Sequence, residues 1–320
     1  MFHLPHTGSA FGYTDILLPP FGNGLFPHLA HGGVSPMMCG PHSVFCGVPK
    51  NSHSTFQEFC ARWRQATISS KDIIYYARMF PQNPLDNRTL RIWADKNITK
   101  FAVIRDPVAR FISGYVDKCV TRTIDVWDND EHLCRNCSTW DLSCFINKTV
   151  ESVTAIANGP RVIPSTLNVA INHFYPQYWH CDFQTHLDDY LLVHFNKTKQ
   201  FKSYVRSMLG IIGAPWSIIQ TGWGAKGSFQ FMDLRSSHGS TSQNFDKVAT
   251  IIMTNLSMLN SLFKLYNVDY VFFNLPVHRE AVDLCQKSST KQLAKSLAIC
   301  IAVKRYTWPA YETLKTYLVL

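Results

Sequence analysis

Hydrophobic and polar positions along this chain follow two patterns, one typical of buried strands and the other of amphipathic helices. Short runs of mainly apolar residues predict strands buried on both faces at 43–48, 101–104 and 190–195. Apolar residues at intervals of three and four predict helices at 54–64, 107–115, 139–157, 199–209 and 243–266, the last leading into the apolar segment 270–273. Strands that alternate with helices predict an α/β layer fold with a mostly parallel sheet.

The two ends of the chain differ in character from this central part. Residues 1–43 contain seven glycines and six prolines, which predicts a poorly ordered leader. They lack the basic stretch and apolar core of a signal sequence, and no run of 18 apolar residues occurs in the chain. Either the protein is soluble, or a start that carries a membrane anchor lies outside this sequence. We expect a folded domain at 44–274 and a helical tail without an assigned role at 275–320.

Composition narrows the class of partner. Apolar residues make up 46% of the chain and charged residues 17%, which excludes wholesale disorder because a large core can be buried. The net charge is +9, and residues 44–110 carry 11 Lys and Arg against 5 Asp and Glu. Such a surplus attracts nucleic acid, anionic membranes, phosphate-rich cofactors or acidic glycans, unless it is merely a solvated basic surface. The absence of basic blocks and of aromatic–basic interleaving disfavours nucleic acid.

Ten cysteines and six glycosylation sequons indicate an oxidising compartment. The sequons begin at Asn87, Asn97, Asn136, Asn147, Asn196 and Asn255. A cysteine cluster predicts disulfides that fix a loop-rich insertion, and its members are Cys119, Cys134, Cys137, Cys144 and Cys181. The alternative is a zinc site at the Cys-x2-Cys pair 134–137 with His132 or Cys144, although a second such pair is missing.

The first candidate site follows the first predicted strand, where Val-Pro-Lys-Asn-Ser-His-Ser-Thr-Phe at 48–56 leads directly into a helix. Such a strand–loop–helix aims backbone N–H groups and the positive end of the helix dipole at one point, which favours a phosphate or sulfate. Lys50 adds a positive charge there, and Ser54 and Thr55 add hydroxyl donors. The glycines of a nucleotide-triphosphate P-loop are missing, so a kinase or ATPase is disfavoured. The alternative is an ordinary βα turn with an exposed lysine.

The second candidate site follows the second predicted strand, in Arg-Asp-Pro-Val-Ala-Arg-Phe-Ile-Ser-Gly-Tyr at 105–115. Arg105 stands at the strand end, and Pro107 suits the first turn of the helix that follows. Ser113 lies about two helical turns further on. Together Arg105 and Ser113 can hold a second phosphate, the first by bidentate hydrogen bonds and the second by its hydroxyl.

A strand-Pro-Lys-x3-Ser-Thr loop followed by a strand and Arg-Asp-Pro-x2-Arg-x2-Ser-x-Tyr resembles the sulfotransferases that use 3′-phosphoadenosine 5′-phosphosulfate (PAPS). Within that superfamily the chain looks most like the Golgi carbohydrate sulfotransferases of the chondroitin, dermatan and uronyl type, in a divergent invertebrate-like branch. Weaker similarities lie at 172–183, 235–241 and 265–272. The resemblance implies a P-loop-like three-layer fold with a central, mostly parallel sheet, in one domain with a disulfide-bearing insertion.

The resemblance also implies transfer of a sulfuryl group from PAPS to a glycan hydroxyl, with a chondroitin-like glycosaminoglycan as the acceptor and no metal. It implies a Golgi-lumen or secretory location and membrane association, although the family's type II anchor is not found in this sequence. The residues that would bind the cofactor are Lys50, Asn51, Ser52, His53, Ser54, Thr55, Arg105, Ser113, Arg235 and Ser237. The alternative function is that of a non-catalytic pseudo-sulfotransferase that binds anionic glycan.

Catalysis by such an enzyme needs a cation at the leaving phosphate and a general base for the acceptor hydroxyl. The resemblance gives the first role to Lys50. For the base it favours Glu58, eight residues after Lys50, followed by His173 and then His53. The alternatives are a Glu58 that only faces solvent and a His173 that is structural.

Overall fold

The structure, a computed structural model, describes most of the central part of the chain. The described residues are 37–67, 95–121, 134–158, 173–181, 183–195, 199–224 and 241–277. Several predictions lie outside them, namely those for residues 1–36, for Arg235 and Ser237, and for the tail beyond residue 277. The side chains of His53 and Ser54 also lie outside the description, although their backbone begins the first helix.

A four-stranded sheet in the order β1-β2-β3-β4 forms the centre of the described fold. Its strands are β1 Met37–Gly40, β2 Ser43–Cys46, β3 Thr99–Ile104 and β4 Tyr190–His194. β2 and β3 are parallel, as are β3 and β4, so that Phe45 lies opposite Phe101 and Phe101 opposite Leu191. The prediction of an α/β fold with a mostly parallel sheet is therefore confirmed, and all three predicted strands are present. Burial on both faces is wrong for β4, where Leu191 and His194 are exposed.

An additional strand, β1, precedes the predicted start of the folded domain. It pairs antiparallel with β2 through a tight hairpin, so ordered structure begins at least seven residues before the predicted domain boundary at 44. A close approach explains Gly40, because a Cβ atom there would lie 2.4 Å from the ring of Trp63. The Cys39–Cys60 disulfide joins the same strand to the first helix.

Helices cover both faces of the sheet. They are α1 His53–Thr67, α2 Pro107–Tyr115, α3 Leu142–Asn158, α4 Phe183–His186, α5 Lys199–Ile211, α6 Trp216–Gly224, α7 Thr241–Thr254 and α8 Leu256–Phe272. Successive residues of a strand point to opposite faces. Accordingly Phe101 and Val103 pack against α1, α5 and α6, whereas Ala102 and Ile104 pack against α2, α3, α7 and α8. This arrangement is the three-layer fold that the sequence led us to expect.

The prediction of a single long helix at 243–266 is wrong. The structure has two helices there, α7 and α8, which meet at a bend of 97°. Asn255 causes the break, because it leaves the helical conformation and its side-chain oxygen accepts a hydrogen bond from the Met258 amide at 3.1 Å. The apolar segment 270–273 continues α8 as far as Phe272.

One bent pair of helices, α7 and α8, has the length and composition of a membrane span. Within the described stretches of the chain, no helix alone is both long and apolar enough to cross a membrane. Helices α7 and α8 meet the requirement of length and composition only when they are taken together.

Four disulfides join the described cysteines. They are Cys39–Cys60, Cys46–Cys181, Cys119–Cys134 and Cys137–Cys144. The predicted cluster is confirmed for four of its five members, whereas Cys181 pairs with strand β2 rather than within the insertion. Both cysteines of the Cys-x2-Cys pair at 134–137 are oxidised, which excludes the alternative of a zinc site at that pair.

Candidate functional site

The two predicted anion-binding segments meet at one edge of the sheet. Because β2 and β3 are parallel neighbours, the loops that follow them emerge side by side. Lys50 lies in the first loop and Arg105 begins the second. The Arg105 Nη1 donates a hydrogen bond to the Lys50 carbonyl oxygen at 3.1 Å, so the arginine braces the loop that carries the lysine.

The loop after β2 has an unusual backbone. Lys50 and Ser52 adopt φ values of 68° and 61°, in the left-handed region that usually favours glycine. Strain of this kind persists only where surrounding contacts fix the conformation. Here the Asn51 amide donates to the Val48 carbonyl at 3.2 Å, and the Asn51 side chain donates to the carbonyl of Val103 at 2.8 Å. The sequence pattern alone did not indicate this conformation.

Asn51 also has a structural role in this loop, and the cofactor contact predicted for it stays a prediction. Its side chain is fully buried and donates to both Val103 and the side-chain oxygen of Gln177, at 2.8 and 2.5 Å. These contacts use the side chain inside the protein, where it holds the loop in place.

Helix α1 presents its N-terminus at this loop. The Phe56 amide donates to the Ser52 carbonyl at 3.0 Å, which closes the first helical turn. The amides of residues 53–55 precede that turn and have no acceptor within the helix. Together with the helix dipole, these amides favour the binding of an anion at this position. Ser52 and Thr55 are half-buried beside them.

Aromatic rings surround the guanidinium of Arg105. It lies 5.0 Å from the ring centroid of Phe195, which follows β4, and 5.8 Å from that of Phe245 on α7. Desolvation lowers the pKa of Arg105 to about 10, with Asp106 opposing the shift, so the side chain keeps its charge at neutral pH. Since a guanidinium has five N–H groups, the bond to the loop leaves donors for a phosphate.

Gln177 connects the two loops, and sequence reasoning gave it no role. Its side-chain oxygen accepts from the Arg105 amide at 3.1 Å and its nitrogen donates to the Arg105 carbonyl at 2.7 Å. The same oxygen also accepts from Asn51. The only signal in the sequence was the Pro-Gln pair at 176–177, which the family resemblance included.

Asp269 on α8 fixes Gln177 in turn. Its two carboxylate oxygens accept from the amides of Gln177 and Tyr178 at 2.8 and 2.9 Å. Burial raises the pKa of Asp269 to about 6, while Arg110 and the two amide hydrogen bonds act in the opposite direction. The next residue, Tyr270, donates to Asp106 at 2.8 Å, and Asp106 caps α2 by accepting from the Ala109 amide at 2.7 Å.

Arg110 brings the His173 segment to the same place. It is fully buried, and its guanidinium donates to the carbonyls of Pro49 at 3.4 Å, His173 at 3.0 Å and Tyr175. Desolvation lowers the pKa of Arg110. The backbone of His173, a predicted candidate base, is therefore anchored next to the lysine loop.

The other predicted catalytic residue, Glu58, lies on the exposed face of α1. Its carboxylate forms an i,i+4 ion pair with Arg62 at 2.8 Å. The carboxylate that contacts the Lys50 ammonium is instead that of Asp117, just after α2. Ser113 is half-buried on α2, one helical turn before Asp117.

These features define a class of protein: an α/β domain with a candidate anion-binding site at the carboxyl ends of two parallel strands. A model of the sulfotransferase family matches residues 37–276, about three quarters of the chain, and the chain belongs to that family. The family resemblance inferred from the two motifs is thus confirmed.

Three proteins of Caenorhabditis elegans are similar to part of the chain. Carbohydrate sulfotransferase chst-1 is 34% identical over 101 residues, which is 31% of this chain and 29% of that protein. The protein vep-2 is 32% identical over 98 residues, 31% of this chain and 28% of its own length. Uncharacterized protein C18B2.2 is 33% identical over 94 residues, 29% and 24% respectively. The matched region is less than a third of each relative. No solved structure gives a significant match.

Proposed function

We propose that this chain transfers a sulfuryl group from PAPS to a hydroxyl group of a glycan, with a chondroitin-like glycosaminoglycan as the acceptor class. The observation that carries this proposal is the junction of Lys50 and Arg105 at the ends of two adjacent parallel strands. Membership of the sulfotransferase family supports sulfuryl transfer as the general chemistry.

The residues at the junction fit a donor with two separate phosphate groups. Lys50 and the amides at the start of α1 suit the 5′-phosphosulfate, and Arg105 with Ser113 suits the 3′-phosphate. Arg105 is half-buried between aromatic rings. This burial reduces the competition of water for its N–H groups and strengthens a charge-assisted hydrogen bond to a phosphate. Arg235 and Ser237 stay predicted contributors from a segment outside the described residues.

The donor supplies a sulfuryl group whose sulfur–oxygen bond to phosphate breaks as the acceptor oxygen bonds to sulfur. Lys50 would place its ammonium on the phosphate oxygen that gains charge, which is electrostatic stabilisation of the transition state. A base would take the proton of the acceptor hydroxyl. Glu58, His173 and His53 stay candidates for that base, and Glu58 forms an ion pair with Arg62 on the exposed face of α1.

The acceptor class and the location are supported by other features. The relative chst-1 is named as a carbohydrate sulfotransferase, and the basic surplus of this chain suits an acidic glycan. Four disulfides fit an oxidising lumen. The sequon residues Asn97, Asn136 and Asn147 are exposed, as glycosylation requires. We therefore place the protein in the Golgi or elsewhere in the secretory pathway.

A labelling experiment tests the proposal. The full chain, expressed through a secretory pathway, is incubated with PAPS labelled in its sulfate and with desulfated chondroitin. We expect labelled glycan from the wild type, and a loss of at least about 100-fold in Lys50→Ala and Arg105→Ala. The exposed residues Lys96 and Arg206 offer matched controls, and their alanine variants should transfer normally.

Each outcome decides between functions. If folded Lys50→Ala transferred sulfate as well as the wild type, the assignment of this site as the donor site would be wrong. A wild type that binds chondroitin but neither transfers label nor binds adenosine 3′,5′-bisphosphate, the nucleotide product, would instead favour the non-catalytic glycan-binding alternative.

A further inference from the structure

We infer that Asp117 is a positioning residue of the donor site, where its carboxylate holds the ammonium of Lys50 in competition with the anionic donor. This inference rests on the proposed function of Lys50 and concerns a residue that neither motif indicated.

The ion pair itself is the first observation. The Lys50 Nζ contacts the Asp117 Oδ2, and the two side chains are only 18% and 17% exposed. Partial burial makes such a pair less subject to screening by salt than one on an open surface. The Lys118 Nζ lies 3.7 Å from the same oxygen, so two lysines share one carboxylate. The group therefore keeps a net positive charge, as a site for an anion requires.

The backbone that carries Asp117 is the second observation. Residues Val116–Val120 form a π-helical turn that continues α2, with the Thr121 amide donating to the Val116 carbonyl at 2.8 Å. Turns of this type are rare and often occur at functional sites. The Thr121 hydroxyl also donates to the carbonyls of Val116 and Asp117, at 2.9 and 3.0 Å.

A disulfide adds to the rigidity of this turn. Cys119, two residues after Asp117, is bonded to Cys134 of the insertion. The carboxylate is thus held by a backbone with little freedom, while Lys50 has a flexible side chain of four carbons. Of the two partners, the lysine is the one that can move toward a ligand.

Removal of the negative charge of Asp117 should have opposite effects on nucleotide binding and on catalysis. A carboxylate at this position draws the Lys50 ammonium away from the phosphate of a bound nucleotide. Removing the charge should therefore tighten the ground-state complex. This gain in binding energy would not extend to the transition state. Without Asp117, the Lys50 ammonium would bind phosphate oxygens that are already charged in the ground state, and not the oxygen that gains charge during the reaction. Turnover should fall although affinity rises.

The test measures binding of adenosine 3′,5′-bisphosphate by calorimetry and sulfuryl transfer by labelling, both with the full chain. Asp117→Asn keeps the shape of the side chain and removes its charge, and Asp188→Asn removes the same charge from an exposed position. For Asp117→Asn we expect a Kd about 3- to 10-fold lower and a kcat at least about 10-fold lower. Asp188→Asn should bind the bisphosphate like the wild type, whereas Asp117→Glu keeps the negative charge and should not reproduce the gain in affinity.

The Lys50→Ala background separates a direct effect from one that acts through the lysine. There we expect Asp117→Asn to change the Kd by less than about 2-fold, since non-additive effects identify interacting residues. Weaker or unchanged binding by folded Asp117→Asn, or the same gain in the Lys50→Ala background, would overturn the inference. If Asp117→Asn does not fold, Asp117→Ala takes its place in the same measurements. A wild type without bisphosphate binding would instead overturn the proposed function, and the inference with it.

Discussion

The side-chain amide of Gln177 pairs with the backbone of Arg105 through two hydrogen bonds, much as a neighbouring strand would. Its oxygen accepts from the Arg105 amide at 3.1 Å, and its nitrogen donates to the Arg105 carbonyl at 2.7 Å. Arg105 follows the last residue of β3, where regular pairing of the sheet ends. Gln177 therefore keeps the arginine backbone ordered at the point where its side chain must meet a ligand.

The first prediction concerns this pairing. Gln177→Glu has nearly the same shape, but it replaces the nitrogen that donates to the Arg105 carbonyl by an oxygen that repels it. We expect the free energy of unfolding to fall by about 2–4 kcal/mol, because a buried charge and an unpaired carbonyl result. Urea denaturation measures the change. The exposed residue Gln65 offers the control, and a Gln177→Glu protein as stable as Gln65→Glu would contradict the structural role.

The second prediction follows from the raised pKa of Asp269. The folded protein binds a proton at this group up to a pKa of about 6, whereas the unfolded chain releases it near the ordinary value of 3.8. Between these values the folded state binds more protons, so the contribution of Asp269 to stability falls as pH rises. The loss is complete above pH 6 and amounts to at most about 3 kcal/mol.

Asp269→Asn removes this titration and tests its direction. The variant should be less stable than the wild type overall, because the two amides bond to different oxygens of Asp269 and in asparagine one of these oxygens is replaced by a donating NH2 group. The difference in stability between the two proteins should nevertheless narrow as the pH is raised from 4 to 6. A difference that widens over this range, measured by urea denaturation at several pH values, would mean that the pKa is lowered and not raised.

The third prediction compares two disulfides. Cys46–Cys181 closes a loop with a sequence separation of 135 residues, against 7 for Cys137–Cys144. By loop entropy their losses should cost about 5 and about 2 kcal/mol respectively. The first bond also joins β2 to the segment that holds Gln177. Thermal unfolding of the two double Cys→Ala variants should show the larger decrease in Tm for the 46–181 pair, and the reverse order would refute this reasoning.

The fourth prediction concerns recognition of the 3′-phosphate. If Arg105 binds that group, Arg105→Ala should weaken binding of adenosine 3′,5′-bisphosphate by about 10- to 100-fold, the usual value of a charge-assisted hydrogen bond. Binding of adenosine 5′-monophosphate should change much less. Calorimetry with both nucleotides measures the selectivity, and Arg206→Ala controls for the loss of positive charge. An equal loss for both nucleotides would assign Arg105 to the 5′ side or to loop support alone.

Much of the fold was predictable because its main strands are buried on both faces. The runs at 43–48 and 101–104 carry that signal in their composition alone. Strand β1 was missed because it lies at the end of the Gly- and Pro-rich segment assigned to the leader and is defined by its pairing with β2. The break at Asn255 was missed because apolar residues continue on both sides of it, so that one polar cap within the pattern ends one helix and starts the next.

The site was predictable only where adjacent residues define it. Lys50 and Arg105 could be found from their places after two strands, and the structure brings them together. The partners that hold them come from distant parts of the chain: Asp117 is 67 residues from Lys50, and Gln177 is 72 residues from Arg105. Contacts between residues so far apart in the sequence are fixed by tertiary packing, and the local sequence pattern does not reveal them. The same holds for Cys181, which the sequence grouped with the cysteines of the insertion but which pairs with Cys46 of β2.

Selective binding of the nucleotide product tests the central claim most directly. The full wild-type chain is heated with adenosine 3′,5′-bisphosphate or with ATP at equal concentration, and Tm is recorded. A ligand that binds only the folded state at about 100 times its Kd adds about 2.7 kcal/mol of stability. Our account predicts a clear rise in Tm with the bisphosphate, and little with ATP, which lacks the 3′-phosphate. An equal or larger rise with ATP, or no rise with the bisphosphate, would contradict it.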